Sequence, residues 1–251
     1  MTRFLLLALS TLFACDADPD CGADAEGDTA TTCAEKGADG SVDDDADDDD
    51  DGFTNGEEAA AGTNPDYVYS RPYTGGYNVG FCDTPPVPTG ATGNASVVIE
   101  GTTYEWPTLA LGDVPNNLTF MDQHGEMVDL YSFCGKHVVV LISAGWCPPC
   151  RAAAAEMQAR QDTYRDQGVQ FIEMLTGDNS DAVPSRGFLQ GWAEQYAFTD
   201  IPVLSIPEPT TYEFPQFLFD NDAAIPSIYH LNTVMEVVSA DDMVYDPGMF
   251  L

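Results

Sequence analysis

The sequence is poor in basic residues. Its 251 residues include only 8 Lys and Arg against 42 Asp and Glu, and the formal net charge is -34 at pH 7. Such a surface repels phosphate groups, so the composition excludes nucleic acid and anionic lipid headgroups as expected partners. The sequence also lacks a long apolar run at its start: residues 4–13 are apolar, but a membrane-spanning helix requires about 20 such residues.

The short apolar run at residues 4–13 is instead typical of an export signal, since it follows Arg3 and is succeeded by a small residue and a cysteine. The letters LFAC at residues 12–15 resemble the lipobox of bacterial lipoproteins, in which the cysteine carries the lipid. The resemblance implies a signal peptide at residues 1–14 and a lipid anchor on Cys15. We therefore expect an exported protein that is anchored in the bacterial cell envelope and faces the periplasm. An ordinary cleaved signal that leaves Cys15 free is the alternative.

An acidic segment at residues 15–46 contains mainly Ala, Asp, Gly and Thr, and has almost no large apolar side chains. Nineteen acids lie between Asp16 and Asp66, where Lys36 is the only base. This composition cannot bury enough surface to offset an ordering entropy of about 1–2 kcal/mol per residue. We therefore expect residues 15–46 to be a disordered tether.

The next segment, residues 47–66, has the spacing of a calcium loop, D-x-D-x-D-G-x5-E. Alternating carboxylates can converge on one hard cation, and Gly52 permits the sharp bend between them. The stretch DGFTNGEEAAAGTNP also resembles the calcium repeats of thrombospondin type 3. The expected ligands are Asp47, Asp49, Asp51, Phe53 through its carbonyl, Asn55 and Glu58. The alternative is a solvated acidic strip, in which some register fits by chance.

Six cysteines remain besides Cys15, an even number for an oxidising compartment. Sequence alone cannot choose among the disulfide connectivities that six thiols allow. Proximity along the chain favours two short-range pairs and leaves a third. The favoured pairs are Cys21 with Cys33 and Cys147 with Cys150, which leaves Cys82 to pair with Cys134.

The remaining chain divides into a connector at residues 67–103, rich in Tyr, Gly, Pro and Thr, and an alternation of strands and helices from Tyr104 onward. HVVVLIS, VQFIEML and IPVLSI are apolar, β-branched runs that predict buried strands. Helices are expected from Pro149 to about Arg165 and within PSRGFLQGWAEQYAF, and hairpins within LTFMDQHGEMVDLYSF and IPSIYHLNTVMEVVS. The alternation predicts an α/β fold.

The order of strand, Trp-Cys-x-x-Cys, helix and a later Ile-Pro before a hairpin resembles that of the thioredoxin superfamily. The stretches LTFMDQHGEMVDLYSFCGKHVVVLISAGWCPPC and AIPSIYHLNTVMEVV are similar to its redoxin branch, the TlpA-like thiol-disulfide oxidoreductases. The resemblance covers roughly residues 105 to 240. It implies a thioredoxin-like central mixed β-sheet flanked by helices, in a domain at residues 104–251.

The two cysteines of the CPPC stretch carry the expected chemistry. Cys147 lies where a helix begins, and free backbone N–H groups there lower the pKa of a cysteine from about 8.5 to roughly 3.5–7.5. Cys147 is therefore the expected nucleophile, and Cys150, one turn later, is expected to resolve the mixed disulfide. This exchange requires no cofactor.

The resemblance implies that five further residues contact the substrate: Trp146, Pro148, Pro149, Ile225 and Pro226. Pro226 matches the proline that is cis in the family, and the backbone of Ile225 would face an extended peptide. The expected partners are protein thiols and disulfides of the cell envelope, together with a redox partner that the sequence does not identify.

Two positions depart from the family pattern. Leu141 stands six residues before Cys147, where many thioredoxins have a buried acid, and Ala153 stands where the redoxin branch often has a glutamate. Glu156 lies one turn too far along the helix to replace it. The sequence therefore offers no evident base for Cys150 and predicts slow or water-mediated exchange.

Four alternatives remain for the CPPC stretch. A zinc site needs about four ligands, whereas His124, His137 and His230 lack ligand spacing. A purely structural bridge would close a very small loop. A peroxiredoxin-like peroxidase would need a T-x-x-C setting that SAGWC lacks. The last alternative is a non-enzymatic calcium-binding surface lipoprotein with a degenerate redoxin domain.

Overall fold

A computed structural model describes residues 43–206, 225–240, 247–249 and 251. Its helices are α1 (Asn55–Ala61), α2 (Pro148–Tyr164) and α3 (Arg186–Gln195), with short 3-10 turns at Leu130–Phe133, Arg165–Gln167 and Pro247–Met249. Its strands are β1 (Gly93–Ile99), β2 (Thr102–Thr108), β3 (Thr119–Met121), β4 (Met127–Asp129), β5 (His137–Ser143), β6 (Val169–Leu175), β7 (Val203–Ser205), β8 (Ser227–Leu231) and β9 (Val237–Ala240). The expected signal peptide and nearly all of the expected tether lie outside the described residues.

Seven strands form one mixed sheet in the order β4-β3-β7-β6-β5-β8-β9. β5, β6 and β7 run parallel, and all the other neighbouring pairs in the sheet are antiparallel. Helix α2 packs against one face of β5 and β6 and α3 packs beside β7, so the sheet is flanked by helices. The expected α/β fold with a central mixed sheet is confirmed.

Burial on both faces explains why β5 and β6 are continuous apolar runs. Val139 and Leu141 face α2, where they cluster with Met157, and the alternate residues Val138 and Val140 face the larger core on the other side. The alanines of α2 let the helix approach the sheet closely, because they carry only a methyl group. Ala154, for example, is completely buried in this interface.

The connector of residues 67–103 is fastened to this sheet. Tyr67 Oη donates to the Tyr131 carbonyl, and Arg71 forms an ion pair of 3.0 Å with Asp129. The connector also contains β1, which pairs with β2 in an antiparallel hairpin across a turn at residues 100–101. The expected boundary between residues 103 and 104 therefore falls within a hairpin.

One expected strand begins later than predicted. Residues 232–236 form a turn, in which the Asn232 side chain accepts hydrogen bonds from the backbone N–H groups of Val234 and Glu236, and Met235 has a positive φ of 67°. The strand expected from Thr233 therefore begins at Val237.

Candidate functional site

The two cysteines of the CPPC stretch, Cys147 and Cys150, lie at the N-terminal end of α2, which follows β5. Cys147 is the N-cap residue of the helix, and its sulfur accepts a hydrogen bond of 3.3 Å from the backbone N–H of Cys150. The two residues form a disulfide. Cys147 keeps an exposed fraction of 3%, whereas Cys150 is completely buried. A reagent from solution can therefore reach the sulfur of Cys147 first.

Ile225 and Pro226 lie beside this disulfide, although they are 78 residues further along the chain. The carbonyl oxygen of Ile225 is 3.7 Å from the sulfur of Cys147, and its side chain packs against both cysteines and Ala144. The peptide bond between Ile225 and Pro226 is cis, the form that the resemblance implied. The structure thus brings the backbone carbonyl of Ile225 next to the sulfur of Cys147.

Three exposed residues form the rim of the site. Trp146 has an exposed fraction of 47%, and Pro148 and Pro149 are also exposed. The seven residues expected at the redox site are therefore close together, with the two cysteines beneath an apolar rim. Their roles in binding a substrate remain predictions.

A loop after β6, at residues 177–182, also belongs to the site and was not predicted. Trp146 Nε1 donates to Asp181 at 2.7 Å, and Arg151 donates to Asn179 at 2.6 Å. The sequence contained a signal, because this loop follows a buried strand that runs parallel to β5. The carboxyl ends of parallel strands lie at the same edge of a sheet, so a polar loop there must lie near the CPPC turn.

Glu173 is a second residue that the sequence analysis missed. It lies in the middle of β6, is completely buried, and one carboxylate oxygen, Oε1, is hydrogen-bonded to the Ser143 hydroxyl. Among the described residues, the other oxygen, Oε2, has no hydrogen-bond partner. Burial raises the pKa of Glu173 to about 8, so the carboxyl group is mostly protonated at neutral pH.

The acidic loop brings three of its expected ligands together. Asp47, Asp49 and Asp51 each present a carboxylate oxygen, and these oxygens lie within 4.8 Å of one another. One oxygen of each carboxylate accepts a backbone N–H of the loop, and the other is buried without a partner in the part of the chain that the structure describes. Burial raises the pKa of Asp49 and Asp51, because desolvation disfavours their charged forms.

Glu58 of α1 lies near this group. Its exposed fraction is 0%, and its Oε2 is buried without a partner among residues 43–206 and the other described segments. Burial and then the charges of Asp51 and Asp49 raise its pKa to about 7. Three carboxylates are therefore clustered and Glu58 lies within electrostatic reach of them, and carboxylate oxygens are the ligands that a hard cation such as Ca²⁺ prefers.

The two other expected ligands have different contacts. The side chain of Asn55 is buried, and its amide accepts from the backbone N–H of Asp48 and donates to the carbonyl of Asp43. Asn55 therefore holds the loop together through both ends of its amide. Phe53 contributes its backbone N–H to Asp51, and no described contact involves its carbonyl.

A second disulfide joins Cys82 of the connector to Cys134, just before β5. Cys15, Cys21 and Cys33 lie outside the described residues, so their lipidation and pairing stay predictions. In the part of the chain that the structure describes, no helix has the length and apolar character needed to span a membrane.

Comparisons with known proteins concern the domain that contains Cys147 and Cys150, and the family match does not extend to the acidic loop. Residues 111–242 match the model of the AhpC/TSA family. The thiol-disulfide oxidoreductase ResA of Bacillus subtilis is 27% identical over 107 residues, which span 40% of this chain and 58% of ResA.

Solved structures give weaker similarities. The thioredoxin domain of a thiol-disulfide oxidoreductase from Bacteroides vulgatus has a TM-score of 0.44 and 18% identity, over 53% of this chain and 89% of that domain. A thiol:disulfide interchange protein from Chlorobium tepidum has a TM-score of 0.43 and 17% identity, over 56% of this chain and 92% of that protein.

Proposed function

Because the chain belongs to the AhpC/TSA family, we propose that it is a thiol-disulfide oxidoreductase that exchanges disulfides with proteins through Cys147 and Cys150. One observation carries the proposal, namely the position of Cys147. Its sulfur caps α2 and lies 3.7 Å from the Ile225 carbonyl oxygen, and Cys147 is slightly exposed to solvent whereas Cys150 is completely buried. A thiolate at this position accepts the Cys150 N–H and benefits from the positive end of the helix dipole.

In the reducing direction, the Cys147 thiolate attacks one sulfur of a substrate disulfide. A bond forms between Cys147 and that sulfur, and the second substrate sulfur leaves with the electron pair and takes a proton from solvent. The Cys150 thiolate then attacks Cys147, which releases the first substrate sulfur and forms the Cys147–Cys150 disulfide. Two electrons pass to the substrate, and the reverse sequence oxidises a substrate dithiol.

The neighbourhood of Cys147 also supports an extended peptide as the substrate. Ile225 offers its carbonyl next to the sulfur, so a substrate backbone N–H can be held there. The exposed rings of Trp146, Pro148 and Pro149 offer an apolar rim. We propose these residues, with Pro226, as the substrate contacts.

The location of the protein belongs to the same proposal. The residues LFAC support a lipid on Cys15, which would tether the redox domain to the bacterial envelope and limit its partners to envelope proteins. Labelling with a radioactive fatty acid tests this: the parent chain should incorporate the label and Cys15→Ser should not. Labelling that survives this substitution would contradict the anchor.

Insulin reduction and disulfide trapping test the enzymatic proposal. The parent chain should accelerate insulin precipitation by dithiothreitol, and Cys147→Ser should abolish the effect. Cys150→Ser should accumulate mixed disulfides that Cys147→Ser does not form. The double variant Cys82→Ser/Cys134→Ser is the matched control, since it removes the distant disulfide and leaves the CPPC pair intact.

Two outcomes would overturn this assignment. Silence in both assays would favour a non-enzymatic surface protein with a degenerate redoxin domain. Rapid, Cys147-dependent consumption of hydrogen peroxide without insulin reduction would favour a peroxidase.

We also propose that the loop at residues 47–58 binds Ca²⁺ through Asp47, Asp49, Asp51 and Glu58. The unpaired, buried oxygens of these four residues support the proposal, because burying carboxylates without a partner is costly unless a cation compensates them. Phe53 stands at the position of the calcium-loop motif that offers a backbone carbonyl, so we propose this carbonyl as a fifth ligand. The amide of Asn55 would act by holding the loop.

Calorimetric titration of the full chain with CaCl₂ tests this site. We expect one Ca²⁺ per chain, and loss of the binding heat in Glu58→Gln. Glu57→Gln is the matched control, because Glu57 lies next to Glu58 but points to the Thr54 backbone at the helix start. The same heat in Glu58→Gln as in the parent, or no heat in the parent at millimolar calcium, would contradict the proposal.

A further inference from the structure

We propose that Glu173 is the proton reservoir of the redox pair: it supplies a proton to Cys150 when the disulfide opens and takes one back when Cys150 attacks, with the Ser143 hydroxyl as the relay. This inference rests on the proposed function. It also fills a gap left by the sequence, in which no base for Cys150 is evident. Glu173 acts through Ser143 and is a positioning residue in this scheme.

The sheet register places Glu173 beneath the helix that carries Cys150. Residues 171, 173 and 175 of β6 alternate onto one face. On that face Phe171 packs in one cluster with Met157 of α2, and Leu175 packs in one cluster with Ala154. Glu173 lies between these two contacts, and therefore below α2.

Cys150 lies one helical turn before Ala154, on the same buried side of α2. The buried residues of this helix are Cys150, Ala154, Met157 and Gln161, so its sheet-facing side contains no charged group. Cys150 is thus the titratable residue among the buried residues of α2, the helix below which Glu173 lies.

Ser143 connects the acid to the redox turn. Its hydroxyl is hydrogen-bonded to Glu173 across the pair of strands, and the chain reaches Cys147 only four residues later. Ser143 is completely buried, like Glu173. When Glu173 is protonated, its O–H can donate to the Ser143 oxygen, which frees the serine hydrogen for the sulfur of Cys150.

Nothing in the described surroundings neutralises a Glu173 carboxylate. Glu173 pairs with Leu141 on β5 and with Val203 on β7, and β7 carries no ionisable side chain. Tyr196, after α3, is the other ionisable group within electrostatic reach. Arg151 is engaged with the Gly145 carbonyl and Asn179. The acid therefore keeps its proton at neutral pH while the disulfide is closed.

The proton balance follows from this arrangement. When an external thiolate attacks Cys147, the Cys147–Cys150 bond breaks and Cys150 leaves with the electron pair. Ser143 gives its hydroxyl proton to Cys150 and receives the Glu173 proton, so the products are a Cys150 thiol and a Glu173 carboxylate. In the opposite direction the Cys150 thiol returns the proton as its sulfur attacks Cys147.

Two measurements on the full chain test the inference. In reduced protein carrying carbon-13 in Cys and Glu, the Cys150 Cβ shift should titrate at a pH about one unit lower in Glu173→Gln than in the parent, because a neighbouring negative charge is gone. In stopped flow, reduction of the oxidised chain by dithiothreitol at pH 7 should be about tenfold slower in Glu173→Gln. The rate profile of that variant should lose its inflection near pH 8.

Three further variants sharpen the result. Glu173→Asp should retain the inflection, and Ser143→Ala should lose most of the rate while keeping the Glu173 titration. Asp122→Asn, which removes a buried acid of the β3–β4 turn, should behave like the parent. Identical Cys150 titrations and rate profiles in the parent and Glu173→Gln would overturn the inference. A parent that fails to reduce insulin would instead overturn the proposed function, since the titration does not depend on activity.

Discussion

At the scale of single residues, the two cysteines differ in both exposure and contacts. Cys147 accepts the Cys150 N–H and touches the Ile225 carbonyl, whereas Cys150 is completely buried below it. In the reduced chain the sulfur of Cys147 can therefore accept this hydrogen bond as a thiolate, whereas the sulfur of Cys150 is shielded from solvent. The pair is thus divided into an attacking and a resolving sulfur by position alone.

This division predicts an acidic Cys147. In Cys150→Ser, the rate of iodoacetamide alkylation should rise with a midpoint well below the pKa of about 8.5 of a free cysteine, because a helix N-terminus stabilises the thiolate. Mass spectrometry of the alkylated peptide measures the rate at each pH. Glutathione in the same buffers is the reference thiol. A midpoint equal to that of an unperturbed cysteine would contradict the assignment of Cys147 as nucleophile.

Glu173 should also affect stability, with a defined sign. Burial raises its pKa from 4.5 to about 8, so the folded chain retains a proton that the unfolded chain releases above about pH 4.5. Stability therefore falls as the pH rises from about 4.5 toward 8, by at most about 1.4 kcal/mol per pH unit. Glu173→Gln has no proton to lose, so we expect it to be more stable than the parent at pH 8 and similar at pH 4.5.

Urea unfolding of the oxidised parent and oxidised Glu173→Gln, with the Cys147–Cys150 disulfide intact, at these two pH values measures the effect. Gln keeps a polar partner for Ser143, so packing changes little. A stability difference that is the same at both pH values would show that the carboxyl group of Glu173 does not titrate between them.

Local motifs revealed Cys147, Cys150 and Pro226, since a CxxC before a helix and an Ile-Pro before a hairpin are visible in the letters. Glu173 was missed for a physical reason. Its strand, VQFIEML, is buried on both faces. The sequence of such a strand does not show which side chains on neighbouring elements contact the acid. The register pairs Glu173 with Leu141 of β5, and only the folded structure shows that its side chain reaches the Ser143 hydroxyl.

At the scale of elements, the strands with both faces buried were predictable, because a continuous, β-branched apolar run is typical of a strand that is covered on both sides of a sheet. The β1–β2 hairpin, which crosses the expected end of the connector, was harder to predict. Its turn consists of Glu100 and Gly101, both with positive φ, and Glu is not a residue that usually marks such a turn. The sequence shows that the 177–182 loop follows a buried strand. Its position beside the redox turn also depends on the parallel pairing of β6 with β5, which the sequence alone does not give.

The contact between that loop and the redox turn predicts a strict need for glycine at position 145. A methyl group there would lie 2.6 Å from Phe188 and 2.8 Å from the Asp178 backbone. Gly145→Ala should therefore destabilise the chain by about 1–3 kcal/mol. Because the turn carries Trp146 toward Cys147, insulin reduction should fall as well.

Gly191→Ala is the matched control for this substitution. Gly191 lies on α3 with open space around it, so a methyl group should stabilise the helix by up to about 1 kcal/mol. Chemical unfolding followed by circular dichroism compares the two variants. Equal stabilities would show that the 177–182 loop can move away from the turn without cost.

At the scale of the whole molecule, the two candidate sites lie at opposite ends of β5. Cys134 precedes this strand and Cys147 follows it, and a seven-residue strand spans roughly 20 Å. Cys82, the partner of Cys134, lines a cavity together with Asp48 and Asp49 of the acidic loop. The acidic loop therefore borders the redox domain at the end remote from the CPPC pair.

This layout predicts that calcium stabilises the chain without changing its redox chemistry. Ca²⁺ at 100 times its dissociation constant should stabilise the folded chain by about 2.7 kcal/mol, because only the folded loop gathers the four carboxylates. The melting temperature of the redox domain should rise by roughly 5–10 °C, while the dithiothreitol reduction rate stays the same. Scanning calorimetry and stopped flow measure the two quantities, with Glu58→Gln expected to lose the shift and Glu57→Gln to retain it. If calcium changed the reduction rate while leaving the melting temperature unaltered, the remote attachment of the loop would not explain its action.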